Sequence, residues 1–120
     1  MKLWHKDLIP YLPKKVLLSQ WETCCHIAKD VCMGNSSNND LVKKVMDYPI
    51  KHFWTYSMLV FIEMQKRGYD VDIFDLKKWI SAHDTVSINK KEIFPNWHNI
   101  KYLLHCYFEL TNEGRINNEN

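Results

Sequence analysis

Arginine and glycine are scarce in this chain. Its 120 residues include three glycines and only two arginines, Arg67 and Arg115, whereas fourteen lysines carry most of the positive charge and the formal net charge is +2. Lysine neutralises phosphate, but it lacks the planar bidentate fork with which arginine binds phosphates and base edges. Charge alone therefore gives no reason to assign nucleic-acid binding.

Long apolar runs and metal-binding patterns are also missing. The longest uninterrupted apolar run covers residues 58–62, far fewer than the roughly 20 residues that a membrane helix needs. Charged and polar side chains within residues 2–7 exclude the apolar core of a signal peptide. The four cysteines and six histidines have no zinc-type spacing. We therefore expect a cytoplasmic protein with no membrane contact, no metal and no other cofactor.

Apolar side chains recur at helical spacing in three long stretches, and few stretches alternate with the period of two typical of a strand. We expect helices over residues 14–33, 49–67 and 95–113, each ended by the glycine that follows it. Shorter helices are expected over 41–46, with Asp40 as N-cap, and over 74–80, with Asp72 as its cap. Two prolines predict an extended segment over 8–13.

This pattern predicts an all-α fold, a compact bundle of three main helices plus one or two short helices, with an extended N-terminal arm (residues 1–5). The last helix should pack through Trp97, Ile100, Tyr107 and Leu110, together with residues 103–104. One domain is expected over residues 1–114, followed by a disordered tail over 115–120.

Most aromatic residues at helical spacing are interpreted as core. Trp4 and His5 are different, because a residue on an arm has no helix face that would bury it. His5 is therefore a candidate hydrogen-bond donor or general acid in a pocket. Glu22 and His26 lie one helical turn apart, and the simplest interpretation is a surface ion pair.

Several short segments occur in a distinctive order. They are Met-Lys-Leu-Trp-His at 1–5, Leu-Leu-x-Gln-Trp at 17–21, Asp-Tyr-Pro-x-x-His-Phe-x-x-Tyr at 47–56, Glu-Met-x-x-Arg-Gly-Tyr at 63–69, and Phe-Pro at 94–95. In order and spacing they resemble the pyrimidine-dimer DNA glycosylase family (endonuclease V type), in the branch with a Leu-Trp-His arm. The resemblance implies a small all-α DNA-repair enzyme that uses its own N-terminal amine as nucleophile.

The resemblance also implies site residues. The nucleophile is the α-amine of Met1, whose pKa near 8 leaves a useful neutral fraction, and it forms a Schiff base with the sugar of a damaged nucleotide before the strand breaks. The family carries a catalytic glutamate just after the Gln-Trp position, where this chain has Thr23. The neighbouring Glu22 is rotated by about 100° on a helix and faces elsewhere. Binding residues are expected on the arm and on the first and third helices: Lys2, Trp4, His5, Gln20, Trp21, Glu22, His26, Lys51 and His52.

Three functions follow from these observations. The first is a DNA glycosylase and abasic-site lyase that acts on damaged pyrimidines through the N-terminal amine, with activity weakened by the missing carboxylate. The alternative is a non-catalytic nucleotide- or nucleic-acid-binding module on the same scaffold, which Thr23 and the scarcity of arginine favour on physical grounds. The third is a protein-interaction adaptor that keeps only the fold. The expected partner is DNA or a nucleotide ligand.

Overall fold

The computed structural model describes residues 2–35 and 39–112, and these are helical or irregular, without a β-strand. Five α-helices lie in this part of the chain: α1 (Lys14–Met33), α2 (Asp40–Met46), α3 (Ile50–Lys66), α4 (Phe74–Lys77) and α5 (Ile100–Asn112). Short 3-10 helices cover Lys6–Tyr11, Ala82–Asp84 and Lys90–Glu92. The all-α prediction is confirmed. None of the described helices has the length and apolar character to cross a membrane.

Of the two longest helices, α1 has the predicted bounds and α3 is one residue shorter than predicted at each end. α1 runs for 20 residues and ends at Gly34, whose φ is 72°. α3 runs for 17 residues, and Gly68 follows it with a φ of 79°. A side chain at either position is strained by this left-handed backbone, so glycine is the residue that ends these helices at least cost.

The two short helices depart slightly from prediction. Asn39, not Asp40, caps α2, because its backbone is extended and its side-chain oxygen accepts hydrogen bonds from the amides of the second and third residues after it, at 2.9 and 3.2 Å. Asp72 accepts a bond of 2.9 Å from the amide of Phe74, but the N-cap of α4 is Ile73, which has no side-chain capping bond. α4 ends at Lys77, three residues before the predicted end.

Two segments were predicted wrongly. Residues 6–11 are not extended but form a 3-10 helix around Pro10, which is tolerated there because so short a helix uses few backbone donors. α5 begins at Ile100, five residues later than expected, because residues 95–99 form tight turns in which the carbonyl of Phe94 accepts bonds from the amides of Trp97 and His98. Asn99 then accepts a bond of 2.8 Å from the amide of Tyr102.

The buried face of α5 also differs from the prediction. Cys106 and Leu110 are fully buried, whereas Ile100 is 75% exposed and Tyr107 is 47% exposed. The helix packs on the 3-10 helix of residues 6–11. This contact covers only a narrow side of α5. Helical spacing identifies an apolar stripe but not how much of it a neighbour covers.

The hydrophobic core lies between α1 and α3, with α2 and α4 packed on α1. The N-terminal segment enters this core, because Leu3, Leu8, Ile9 and Leu12 are at most 6% exposed. Arg67 fixes the segment from α3, since its guanidinium donates to the carbonyls of Leu12 (2.7 Å) and Pro10 (3.0 Å). Residues 3–5 of the arm are therefore buried in the interior of the molecule, as are Leu8, Ile9 and Leu12.

Candidate functional site at the N-terminal arm

Gln20, on α1, forms two hydrogen bonds with the backbone of the arm, one with an amide and one with a carbonyl. The amide of Trp4 donates to Oε1 of Gln20 at 2.7 Å, and Nε2 of Gln20 donates to the carbonyl of Lys2 at 2.9 Å. The Gln20 side chain is buried, with 2% exposed. Since a buried backbone amide without a partner is costly, Gln20 is the group that makes burial of the arm possible here.

Two tyrosines donate hydrogen bonds to the arm carbonyls that Gln20 does not bind, those of Leu3 and Trp4. The hydroxyl of Tyr56, on α3, donates to the carbonyl of Trp4 at 2.6 Å, and the hydroxyl of Tyr102, on α5, donates to the carbonyl of Leu3 at 2.7 Å. Burial raises the pKa of both phenols, so each keeps the proton that it donates. Three consecutive carbonyls, at residues 2–4, are thus bound by side chains from three different helices.

His5, the last residue of the arm, forms a buried pair with His98. Their rings stack with centroids 5.1 Å apart, and Nδ1 of His98 accepts a bond of 3.0 Å from the amide of Lys6. Burial lowers the pKa of His98 to about 2, so the ring is neutral and Nδ1 is free to accept. Burial lowers the pKa of His5 as well. The expectation that an arm residue has nothing to bury it is wrong, because the arm passes through the interior and leaves His5 only 2% exposed.

Thr23 lies one helical turn beyond Gln20 on α1. It is 7% exposed, and its hydroxyl donates to the carbonyl of Ser19 at 3.0 Å, as threonines within helices often do. The Thr23 side chain carries no charge. Met1 lies outside the described residues.

A carboxylate from α5 reaches the arm from another direction. Oε2 of Glu109 lies 2.6 Å from Nζ of Lys2, and Oε1 lies 3.1 Å from Nε2 of His105. The ammonium of Lys2 also sits 3.9 Å from the centre of the Trp4 ring. The Glu109 side chain is 41% exposed, so this carboxylate faces both the arm and solvent.

A groove of about 420 Å³ opens beside these residues. Lysines, asparagines and aromatic rings line it. Its lining includes Tyr102, which binds the arm, and His105, which pairs with Glu109. Nζ of Lys44 lies 4.9 Å from the ring centre of Trp97 within it. Cationic and aromatic side chains together suit a ligand with both a phosphate and a base. The full lining is Lys44, Tyr48, Asn96, Trp97, Asn99, Lys101, Tyr102 and His105.

The other predicted binding residues lie elsewhere. Trp21, Glu22 and His26 line a second groove, which α4 closes, and among the described ion pairs none joins Glu22 to His26. His52 is buried, and its Nδ1 accepts a bond of 3.0 Å from the amide of Phe94. Lys51 is exposed. The structure thus brings together the predicted residues Lys2, Trp4, His5 and Gln20 at the arm, with Thr23 one helical turn from Gln20, and places the rest elsewhere.

Several residues around the arm were not selected from the sequence. Tyr56 and Trp97 were interpreted as core aromatics, and nothing in the spacing distinguishes a tyrosine that binds the arm from one that only packs. Glu109 and His105 are one helical turn apart on α5, a pattern that ordinary surface helices also show. Their relation to the arm spans more than 100 positions in sequence and depends on how α5 packs.

The comparisons with known proteins bear on the same region. The family model described as pyrimidine dimer DNA glycosylase matches residues 1–76, which is 76 of the 120 residues and includes the arm, Gln20, Thr23 and Tyr56. A comparison with curated proteins and another with solved structures each found no match. A match over more than half of the chain, together with the all-α fold, identifies the family. The chain belongs to the pyrimidine dimer DNA glycosylase family.

Proposed function

We propose that this protein is a DNA glycosylase and abasic-site lyase whose nucleophile is the α-amine of Met1. The observation that carries the proposal is the set of three bonds to the carbonyls of residues 2–4. A nucleophile must be positioned within a fraction of an ångström, and an amine one residue before this bonded segment is attached to a rigid support. Buried carbonyls need such partners in any case, and here the same bonds also fix the backbone of the residue next to the proposed nucleophile.

The proposed chemistry forms two bonds in succession. The neutral amine gives its electron pair to C1′ of the damaged nucleotide, and the bond from C1′ to the base breaks with its electron pair leaving on the base, which takes up a proton. The nitrogen then loses a proton and forms a double bond to C1′ as the C1′–O4′ bond opens and O4′ takes up a proton. The product is a cationic Schiff base between the protein and the sugar.

The groove next to the arm supports a DNA partner. Lys44 and Lys101 line the groove and can neutralise phosphates, and the rings of Trp97 and Tyr48 in the same lining can contact an unpaired base. Arg67 cannot contribute, because its guanidinium is bonded to Glu63 and to the backbone of residues 10–12. Binding through lysine and stacking alone predicts weak affinity that falls with salt.

Borohydride trapping tests the proposal. Protein with its native N-terminus is mixed with duplex DNA containing either a cyclobutane pyrimidine dimer or an abasic site, and hydride reduces any Schiff base to a stable secondary amine. We expect a covalent adduct whose peptide contains Met1, and no adduct from protein carrying one extra residue before Met1. Folded native protein that forms no adduct with either DNA would refute the proposal.

The second candidate is a non-catalytic nucleotide- or nucleic-acid-binding module. The specific observation in its favour is that the carboxylate position holds Thr23, with its hydroxyl bonded to its own helix. This candidate predicts binding of nucleotides or single-stranded DNA, seen as a rise in melting temperature, without any trapped adduct.

A further inference from the structure

We propose that Glu109 on α5 supplies the carboxylate that α1 lacks at Thr23. The inference rests on the proposed function, since a carboxylate has this role only if the N-terminal amine reacts. It concerns a residue outside the matched region of 1–76, so the family match does not contain it.

The proposal rests on which residues of α5 contact which residues of the arm. Tyr102 binds the carbonyl of Leu3, and Glu109, two helical turns later on the same side of α5, binds the side chain of Lys2. The arm therefore runs towards the C-terminal end of α5 as it approaches residue 1. The carboxylate lies at that end, 2.6 Å from the ammonium of the residue next to the nucleophile.

Glu109 and Thr23 differ in what they can offer to a substrate. The hydroxyl of Thr23 is buried and donates to Ser19, whereas the Glu109 side chain is 41% exposed. Each oxygen of Glu109 has a basic neighbour, Lys2 on one side and His105 on the other. His105 also lines the groove. A sugar bound in the groove with C1′ at the N-terminus would thus have a carboxylate near its cationic centre.

We assign to Glu109 the removal of the proton from C2′ of the Schiff base. The carboxylate takes this proton, and the C2′–H electron pair becomes the C1′–C2′ double bond while the electrons of the C=N bond move to nitrogen. The nitrogen pair then restores C=N, a double bond forms between C2′ and C3′, and the C3′–O bond breaks with its electron pair leaving on the phosphate. Water later hydrolyses the imine and frees the amine.

The test compares Glu109→Gln with Glu92→Gln, which makes the same chemical change at an exposed position. Single-turnover strand cleavage is measured on duplex DNA with an abasic site, alongside borohydride trapping and thermal unfolding. We expect Glu92→Gln to match the wild type within twofold and Glu109→Gln to cleave about 100-fold more slowly, at the low end for loss of a general base. Trapping should persist in Glu109→Gln, because the Schiff base accumulates when elimination is slow.

Two further measurements separate a chemical role from a structural one. Deuterium at C2′ of the abasic nucleotide should slow cleavage by Glu109→Gln more than cleavage by the wild type, because proton removal becomes fully rate-limiting without the carboxylate. Adding Thr23→Glu to Glu109→Gln should raise the cleavage rate at least tenfold. Recovery of folding alone does not explain such an increase.

The outcomes distinguish the two proposals. A wild type that traps and cleaves, with Glu109→Gln equally fast, overturns the role of Glu109 and leaves the glycosylase proposal standing. A folded wild type that neither traps nor cleaves overturns both. If Glu109→Gln does not fold, Glu109→Met takes its place, and cleavage as fast as wild type overturns the role of Glu109 while cleavage about 100-fold slower supports it.

Discussion

Replacing Gln20 by leucine tests whether the arm is held as the structure indicates. The substitution keeps the side-chain size but removes the partners of the Trp4 amide, at 2.7 Å, and the Lys2 carbonyl, at 2.9 Å. The first bond is buried and the second is partly buried, so water can replace only the second. An unsatisfied buried group costs about 1–3 kcal/mol. Together the two losses should lower the free energy of unfolding by about 2–4 kcal/mol.

Thermal unfolding followed by circular dichroism measures this loss. For a chain of 120 residues, an unfolding entropy of about 2.1 cal/mol/K per residue makes each kcal/mol worth about 4 °C, so the melting temperature should fall by about 8–16 °C. Gln65→Leu is the matched control, because Gln65 is exposed at the end of α3, and surface changes are usually worth less than about 0.5 kcal/mol. Equal melting temperatures for the two variants would refute the argument that Gln20 holds the arm.

Three other predictions follow from the interior of the molecule. Tyr56→Phe leaves the carbonyl of Trp4 without its donor, at 2.6 Å, and should cost about 1–3 kcal/mol in urea unfolding; a loss below about 0.5 kcal/mol would contradict it. The pKa of His98 is about 2 in the folded protein and near 6.5 in the unfolded chain, so its contribution to stability is present above pH 6.5 and is lost as the pH falls from 6.5 towards 2. Wild-type stability should therefore decline by up to about 1.4 kcal/mol per pH unit from this group, and His98→Gln should show a shallower slope. Iodoacetamide at pH 8 should label the exposed Cys32 quickly, while Cys24, whose pKa burial raises to about 12, should react only in urea; fast labelling of Cys24 in native protein would contradict its burial.

The sequence was informative where structure depends on nearby residues. The ends of α1 and α3 were predicted to within one residue because a glycine with positive φ follows each apolar stripe. The start of α5 was predicted wrongly because Pro95 is equally compatible with a helix start and with the turns that it actually occupies. Local signals of this kind specify which backbone conformations are allowed, but not which of them the rest of the chain selects.

For the candidate site, the family resemblance located the arm, Gln20 and Thr23, and the predicted assignment of Met1 and Thr23 to catalysis stays a prediction. The interior position of the arm was not foreseen, since residues 2–5 lack the alternation of apolar and polar side chains that reveals the buried side of an extended segment.

The amino-acid sequence by itself determined the helical class, the bounds of the two longest helices to within one residue and the departure at Thr23, because periodicity, caps and side-chain chemistry are local properties. Only the tertiary structure decided that Gln20, Tyr56 and Tyr102 converge on three successive carbonyls, and that Glu109 meets Lys2 at 2.6 Å. These contacts join residues far apart in the chain. They depend on the packing of α1, α3 and α5 around a buried arm, where each polar backbone group must find a partner.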